Sequence, residues 1–249
     1  MSDTASIRTN TRKIESVHAM LARVAESIPG WTPLEQLFAL YATVAFDRSQ
    51  SADIVEVGSW CGRSTIALGL AAKYAGRQLH AVDIFPERDD WIHNPDGTWS
   101  IRTLIDDTVV NACDIQTVWN EAFENSILPV YADDFSPRLR LERGLDQFGV
   151  RDWVQVHRAT GEMFRSKRPG LRIGTLFLDA DHSEASVRAD IEGFLPMMEP
   201  GACMCFDDAF TVYDGIDRAI TDALISRFPP VMADGSQLTR KLFSARLAK

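Results

Sequence analysis

The 249-residue sequence predicts an α/β protein with a doubly wound sheet of seven mostly parallel strands. Three observations support this fold class. Short apolar segments that indicate strands alternate with segments of helical periodicity between residues 53 and 206. Several of these strands are followed by carboxylates, and the carboxyl ends of parallel strands are where such sheets bind ligands. Two final apolar segments, separated by a turn sequence, predict an antiparallel hairpin strand at the sheet edge.

Size and composition are those of an ordinary globular protein, with 45% hydrophobic residues, 24% charged residues and a net charge of −9. We therefore expect a single domain over residues 1–249. No apolar stretch approaches the roughly 18 residues needed to span a bilayer, and residues 1–12 lack the apolar core of a secretory signal. We expect residues 1–12 to be a flexible tail, the protein to be cytoplasmic, and no membrane partner. The four cysteines have no zinc-site spacing and are interpreted as reduced structural thiols.

Residues 13–48 predict two N-terminal helices before any strand. The first has apolar residues at helical spacing up to Ile28, and Pro29-Gly30 ends it. The second begins with the sequence of a capping box, Thr32-Pro33-Leu34-Glu35. These helices either flank the core or form a dimerisation or substrate-cleft element. Both alternatives stay open, and the second includes a homo-oligomer formed through these helices.

Residues 53–83 have the plan of a Rossmann-like half-fold. A strand over 53–58 ends in a glycine, a helix over 64–75 is closed by Gly76, and a second strand over 78–83 ends in an acid. Further strands are predicted at 153–158, 175–178 and 202–206. The hairpin is predicted from strands at 231–233 and 238–245, with the turn at residues 234–236.

Residues 86–137 interrupt this alternation and are predicted to form an inserted lid with two short helices. The segment contains eleven acidic and two basic residues, a difference of −9, so it carries the whole net charge. It also contains three of the six tryptophans, Trp91, Trp99 and Trp119, which argues against disorder. An acidic surface repels a phosphate backbone, so we expect no nucleic-acid partner.

The first chemical motif is the run from Glu56 to Ser64, Glu-Val-Gly-Ser-Trp-Cys-Gly-Arg-Ser. Its glycines let the backbone approach a ligand closely, and the helix that follows offers free N–H groups. The Gly-x-x-x-Gly spacing differs from the Gly-x-Gly-x-x-Gly of dinucleotide binders and counts against NAD. Residues 55–64 resemble the first motif of class I S-adenosylmethionine-dependent methyltransferases, most of all the catechol and caffeoyl-CoA O-methyltransferase branch.

That resemblance implies a site for S-adenosylmethionine. Gly58 and Gly62 would line its methionine portion, Ser64 would bind its carboxylate, and Asp83 would hold its ribose. Residues 160–162 would contact the adenine. The cofactor-binding residues implied are Glu56, Gly58, Ser59, Trp60, Gly62, Ser64, Asp83, Thr160, Gly161, Glu162 and Asp179. The alternative is structural, with Glu56 supporting the turn and Ser64 capping the helix.

The second chemical motif joins Asp179-Ala-Asp181-His182 to Asp207-Asp208. The carboxyl ends of parallel strands can meet at one edge of a sheet, and a hard divalent cation would hold three carboxylates together there. Metal-dependent O-methyltransferases, which this motif resembles, carry an acid after one strand and an acid followed by Asn after the next. Asp179, Asp207 and Asp208 match these ligand positions, with Asp208 in place of the Asn. Residues 175–210 also resemble macrolide-sugar and aminocoumarin-sugar O-methyltransferases and cephalosporin-hydroxylase-like proteins.

The chemistry implied is methyl transfer to a hydroxyl whose pKa is lowered by a bound cation, for which Mg²⁺ suits the oxygen ligands. His182 lies where the catechol-type enzymes carry a catalytic lysine, so Asp179 and His182 are the catalytic candidates. Three structural alternatives stay open. His182 is a solvated loop residue or a partner of an acid, Asp207-Asp208 is a plain turn, and either Asp181 or Ser183 caps the next helix.

The sequence therefore predicts a magnesium-dependent O-methyltransferase acting on a small hydroxylated molecule. Tryptophans beside acids suit sugar rings and cationic groups, so we expect a neutral or amine-bearing acceptor such as a glycoside or another natural product. Two alternatives stay open. One is a metal-independent methyltransferase of the same fold, and the other is a non-catalytic module that binds S-adenosylmethionine.

Overall fold

The computed structural model describes residues 16–226 and 236–247. Its strands, numbered in chain order, are β1 Asp53–Val57, β2 Leu79–Asp83, β3 Trp91–His93, β4 Thr98–Ile105, β5 Thr108–Ala112, β6 Val118–Trp119, β7 Val154–Arg158, β8 Ile173–Leu178, β9 Met198–Phe206, β10 Gln237–Thr239 and β11 Leu242–Arg246. Its helices are α1 16–27, α2 Leu34–Ala45, α3 Arg63–Ala75, α4 Asn120–Ala122, α5 Pro137–Gln147, α6 Gly161–Lys167, α7 Glu184–Phe194 and α8 Asp214–Ala219.

The main sheet has seven strands in the order β10-β11-β9-β8-β1-β2-β7. The five strands from β9 to β7 are parallel to their neighbours, whereas β11 runs antiparallel to β9 and β10 antiparallel to β11. The predicted doubly wound, mostly parallel seven-stranded sheet with an antiparallel C-terminal hairpin is confirmed. No helix in the described ranges is both long and apolar enough to cross a membrane.

Hydrophobic side chains cover both faces of the sheet because successive strand residues point to opposite sides. In β1, Ile54 packs with the core that includes α2 and α3, while Val55 and Val57 pack with the core that includes α7 and α8. The N-terminal helices belong to the first of these cores through buried residues such as Leu21 and Leu37. They therefore flank the core, as one of the two alternatives predicted.

The insertion contains more strand than we predicted from the sequence. β4 pairs with β3, β5 and β6 in a small antiparallel sheet, and a helical segment follows from Asn120 until the backbone leaves helical geometry at Ala132 and Asp133. The prediction of two short helices missed this sheet. Asp106 and Asp107 connect β4 to β5 with φ values of 47° and 62°, and two consecutive positive φ values are typical of the tight turn of a hairpin. Two of the acids that we counted as lid surface are therefore turn residues.

The C-terminal hairpin turns at a different place from the one predicted. Thr239 pairs with Leu242, so the turn lies at Arg240 and Lys241 and interrupts the predicted strand 238–245. Arg240 has a φ of 55°, and the carbonyl of Lys241 accepts a hydrogen bond from the amide of Ala209. The turn is therefore held by the loop that follows β9. The predicted strand 231–233 and most of the predicted turn lie outside the described residues.

The predicted capping box of α2 is also wrong in detail. Pro33 occupies the N-cap position and makes no side-chain cap, and Glu35 pairs with Arg240 of the hairpin turn at 3.0 Å. A proline ring has no hydroxyl or carboxylate with which to cap a helix. This contact brings the start of α2 next to the end of the sheet where the candidate site lies.

Candidate active site

The four central strands deliver the candidate residues to one edge of the sheet. Backbone hydrogen bonds continue one residue past each strand: Asp207 N donates to Leu178 O, Asp179 N to Val57 O, and Gly58 N to Val82 O, at 2.9–3.0 Å. Asp207, Asp179, Gly58 and Asp83 therefore follow one another along the edge in the order of the strands. The predicted meeting of these carboxyl ends is observed.

Gly58 is required by the way the chain passes β8. It has a φ of 95°, and a Cβ at this position would lie 1.9 Å from the carbonyl oxygen of Asp179. Any side chain would therefore displace the backbone after β8, besides adopting a backbone conformation that L residues rarely use. The glycine loop and the start of the second motif are in direct backbone contact.

Glu56 is fully buried beneath this loop. Its Oε2 accepts hydrogen bonds from Ser59 Oγ at 2.9 Å and Thr65 Oγ1 at 2.5 Å, while Oε1 has no hydrogen-bond partner among the described residues. Burial raises the pKa of Glu56 to about 7, and the hydroxyls of Ser64 and its neighbours oppose that rise. The carboxylate supports the turn, as the structural alternative expected, and retains one free acceptor.

Asp83 binds the glycine loop and the chain after β2 through backbone amides. Its Oδ2 accepts from the amide of Trp60 at 2.8 Å, and its Oδ1 accepts from the amide of Phe85 at 2.6 Å. Burial raises the pKa of Asp83, and these amides oppose the rise. The acid therefore orders the loop after β1 and the start of the chain after β2.

Residues 160–162 begin α6. The side chain of Thr160 caps this helix by accepting a hydrogen bond from Met163 N at 3.2 Å, so its hydroxyl already has a structural role. Gly161 is buried against Asp190, and Glu162 is exposed on the first turn. Ser64 does not cap α3, because Gly62 occupies the N-cap position and Ser64 lies inside the first turn.

The second motif brings Asp179, His182 and Asp208 together. One potential ligand atom from each lies within 4.8 Å of the other two, and His182 Nε2 is 3.5 Å from Asp208 Oδ2. Burial raises the pKa of Asp179 well above its usual range, and the charge of Asp207 adds to this effect. Burial also lowers the pKa of His182, against the opposing charge of Asp208. A cluster with this electrostatic cost fits a cation.

Asp207 lies beside the cluster with both of its carboxylate oxygens already bound within the protein. Oδ1 accepts from Gln36 Nε2 at 3.3 Å, and Oδ2 accepts from Lys241 Nζ at 2.8 Å. Lys241 Nζ is also 2.8 Å from Asp208 Oδ1. The sequence reasoning missed both partners, and neither has a local signal because Gln36 and Lys241 lie far from the motif in the chain. The predicted role of Asp207 as a ligand stays a prediction.

The loop between Asp179 and α7 contains the residue that caps this helix. Ser183 is the N-cap and accepts from Ser186 N at 3.3 Å, while Asp181 Oδ1 accepts from Ser183 N at 2.6 Å and stabilises the turn before it. His182 packs against Tyr213 with ring centroids 4.4 Å apart. Its imidazole is therefore held in place by an aromatic neighbour and is not a solvated loop residue.

The family comparison agrees with this geometry. A family model described as "Methyltransferase domain" matches residues 55–209, which is more than half of the chain. The chain belongs to this methyltransferase family. The match begins in β1 and ends just after Asp208, so it contains both motifs.

Solved structures share the fold of this methyltransferase. The O-methyltransferase NovP has a TM-score of 0.62 and 13% identity, with 96% of this chain and 99% of NovP covered. The calicheamicin methyltransferase CalS11 has a TM-score of 0.55 and 16% identity, with 86% and 78% covered. The SAH-bound methyltransferase PaMTH1 of Podospora anserina has a TM-score of 0.53 and 12% identity, with 100% and 97% covered. The predicted class I methyltransferase fold, of the kind found in O-methyltransferases, is confirmed.

The insertion of the methyltransferase contacts the main sheet at the end of β7 and the neighbouring helix α6. Arg158 at the end of β7 donates to Ile84 O at 3.1 Å and to Thr103 Oγ1 at 3.0 Å. Lys167 of α6 pairs with Asp106 in the turn between β4 and β5. The insertion is therefore bound to both β7 and α6 at this end of the sheet.

The three tryptophans of the insertion have different environments. Trp91 is buried and donates to Tyr131 Oη at 2.9 Å, and Trp99 stacks on Phe123 with ring centroids 3.9 Å apart. Trp119 is 75% exposed. Trp91 therefore belongs to the core that includes α2 and α3, Trp99 packs against that core, and Trp119 is the most exposed of the three.

Proposed function

We propose that this methyltransferase transfers a methyl group from S-adenosylmethionine to a hydroxyl of a small molecule with the help of a divalent cation. The observation that carries the proposal is the position of Asp179. Its amide is bound to the end of β1 beside the glycine loop, and its carboxylate belongs to the cluster with His182 and Asp208. A methyl donor at the glycine loop and an acceptor oxygen at the cluster would therefore be neighbours.

The donor would be held by the residues around the glycine loop. S-adenosylmethionine carries an ammonium group and a ribose diol, which are both hydrogen-bond donors. Glu56 Oε1 is a buried acceptor without a partner in the described structure, and the Asp83 oxygens keep acceptor capacity beyond their two amide contacts. Residues 160–162 would complete the site on the nucleoside side, as the sequence resemblance implies.

The acceptor would be oriented and deprotonated at the cluster. Asp179 and Asp208 would hold the cation, Mg²⁺ or another hard ion, which when bound lowers the pKa of a hydroxyl that it contacts. His182 would accept the proton of that hydroxyl, since burial favours its neutral form. The acceptor oxygen then forms a bond to the methyl carbon while the carbon–sulfur bond breaks, and its electron pair stays on sulfur. Asp207 would contribute negative charge and remain bound to Gln36.

The negative charge of the insertion favours an acceptor molecule that is neutral or carries an amine. The segment 86–137 carries the whole net charge of the chain, and its exposed Trp119 offers an aromatic face. A sugar ring or a cationic group would be attracted to such a surface, whereas a phosphorylated acceptor would be repelled. We therefore propose that the insertion is a lid over an acceptor such as a glycoside or another hydroxylated natural product.

The test is a binding and transfer experiment with the full chain. Calorimetry should detect binding of S-adenosylmethionine to the protein. In the presence of Mg²⁺, a labelled methyl group should be transferred to members of a panel of glycosides, catechols and amino alcohols. EDTA should stop transfer without releasing the donor. Asp208→Ala, which removes the ligand oxygens, should likewise keep donor binding and lose transfer. If the wild-type protein binds the donor but transfers methyl to no acceptor, the result would instead support a non-catalytic module.

One observation favours a second candidate, the metal-independent methyltransferase. Lys241 already places a positive charge 2.8 Å from an oxygen of Asp207 and of Asp208. If this ammonium serves in place of a cation, transfer will persist at full rate in EDTA. His182 would then still be the proton acceptor.

A homo-oligomer through the N-terminal helices stays a prediction. Phe46 after α2 and Tyr74 in α3 are each more than half exposed, and their rings lie 6.5 Å apart. They form an apolar surface that such a contact would cover. Light scattering of wild type and of the Phe46→Ser, Tyr74→Ser double variant measures whether the assembly depends on it.

A further inference from the structure

Lys241 is the one lysine or arginine that forms an ion pair with the second-motif aspartates in the described part of the chain. Its Nζ lies 2.8 Å from Asp207 Oδ2 and 2.8 Å from Asp208 Oδ1, so it bridges two adjacent carboxylates. Asp208 presents its other oxygen to His182 at 3.5 Å. The ammonium and a cation held by Asp208 would therefore share one carboxylate.

The backbone around Lys241 is fixed by the protein. Its carbonyl accepts from Ala209 N at 2.9 Å, on the loop directly after Asp208. On one side of it, Thr239 O accepts from Gln36 Nε2 at 3.4 Å, and next to it Arg240 pairs with Glu35 at 3.0 Å. The hairpin turn is thus bound to both the β9 loop and α2, and the side chain is 24% exposed. This arrangement holds the ammonium at the aspartates.

A positive charge held there must affect cation binding. Two like charges at neighbouring positions repel, and the repulsion is strong in a half-buried site because solvent screens it little. A divalent cation at Asp208 would either displace the ammonium from two ion pairs or bind beside it against this repulsion. Both routes weaken cation binding relative to the same aspartates without Lys241.

We propose that Lys241 is a positioning residue that competes with the divalent cation and sets a weak affinity for it. Without the cation, its ammonium keeps Asp207 and Asp208 in place and offsets their mutual repulsion. The inference rests on the proposed function only through the cation, and it concerns residues that lie outside the glycine loop.

The experiment measures cation binding directly, on the full chain and without methyl donor or acceptor. Mn²⁺ binding is followed by electron paramagnetic resonance and Mg²⁺ binding by calorimetry, for wild type, Lys241→Met, Lys241→Gln and Lys241→Arg. Arg240→Met is the matched control, because it removes one positive charge from the same turn but from a residue paired with Glu35. The glutamine variant keeps a hydrogen-bond donor should the methionine variant fail to fold.

We expect Lys241→Met and Lys241→Gln to bind Mn²⁺ and Mg²⁺ at least tenfold more tightly than wild type. Lys241→Arg and Arg240→Met should stay within about twofold of wild type. The neutral variants should also gain more thermal stability on adding Mn²⁺ than wild type does, because the ion then replaces the lost charge. A role that is only structural would not tighten binding in any variant.

Unchanged or weaker binding in both folded neutral variants would overturn the proposal, and so would an equal gain in Arg240→Met, which would indicate a general effect of net charge. Failure of the proposed function is a separate result, since it would appear as loss of methyl-donor binding or of transfer in wild type. Donor binding and transfer in EDTA, combined with no Mn²⁺ binding to any variant, would overturn this inference and leave methyl transfer intact.

Discussion

The buried carboxyl group of Glu56 should make the free energy of unfolding depend on pH, and one substitution should remove that dependence. Its carboxyl group has a pKa of about 7 in the folded protein against 4.5 ordinarily, because it is fully buried. Below pH 4.5 both the folded and the unfolded chain hold the proton. Between these two pKa values only the folded chain holds it, so unfolding releases a proton and stability falls as the pH rises. Above pH 7 the full cost of the buried charge is present.

The size of this effect follows from the difference between the two pKa values. A difference of one pKa unit corresponds to about 1.4 kcal/mol, so Glu56 should cost the wild type about 3 kcal/mol at pH 8.5 relative to pH 4.5. Glu56→Gln is close in shape to the protonated acid, and its carbonyl can still accept from Ser59 and Thr65. The variant should therefore be within about 1 kcal/mol of wild type near pH 5 and exceed it by about 3 kcal/mol at pH 8.5.

Urea unfolding at pH 5, 7 and 8.5 measures this difference for wild type and variant. The comparison between the two chains cancels the contributions of titrating groups that do not interact with Glu56. Glu124→Gln, at an exposed glutamate of the insertion, is the control for removal of one negative charge. If the stability of Glu56→Gln and of wild type change in parallel across this range, Glu56 is not the buried titrating group and the reasoning fails.

Three further substitutions test other parts of the site. Gly58→Ala should prevent stable folding or lower the free energy of unfolding by more than about 3 kcal/mol, since its Cβ would lie 1.9 Å from Asp179 O; Gly76→Ala, with nothing within 4 Å of its Cβ, should cost only about 1 kcal/mol. His182→Asn should lower kcat roughly 10²–10⁴-fold while Mn²⁺ affinity stays within about twofold. Trp119→Ala should raise KM for a glycoside acceptor severalfold and leave the unfolding midpoint unchanged, because this side chain is 75% exposed.

Each of these has an outcome that contradicts it. Equal costs for the two glycine variants would mean that the backbone after β8 can yield. A loss of Mn²⁺ affinity in His182→Asn would make the imidazole a ligand and not the base. An unchanged KM in Trp119→Ala, across the acceptor panel, would show that the insertion recognises acceptors without this ring.

Local patterns in the sequence were sufficient to predict the elements that depend on neighbouring residues. The Gly58 and Gly62 motif and the acid at the end of β2 are encoded within a few positions, and the same local pattern narrowed the cap of α7 to Asp181 or Ser183. The apolar strands also predicted a parallel sheet, because their carboxyl ends carry the polar residues. The strand β4 had a usable signal as well. Its buried and exposed residues alternate and it ends at two aspartates in a tight turn, a pattern we interpreted only as acidic lid surface.

The partners of Asp207 had no such signal. Gln36 and Lys241 lie 171 and 34 positions away from it and are brought to the site by the packing of α2 and by the hairpin turn. Which side chains meet at such a distance depends on tertiary packing, and one sequence does not contain that information in a local pattern. The shift of the turn to Arg240 and Lys241 has the same origin, because the turn is held by the β9 loop and α2.

The charge at the end of the sheet explains why this site should be more stable with its ligands than without them. Glu56, Asp83, Asp179 and Asp207 all have raised pKa values because of burial, and in the described structure Lys241 is the one lysine or arginine that pairs with any of them. Such a concentration of carboxylates costs folding free energy that a purely structural role would not require. Both proposed ligands bring positive charge to it. Thermal unfolding should therefore shift upward with S-adenosylmethionine and with Mg²⁺ separately, and by more at pH 8.5 than at pH 5, where Glu56 holds its proton. A shift of equal size at both pH values would mean that the ligands bind without relieving the buried charge.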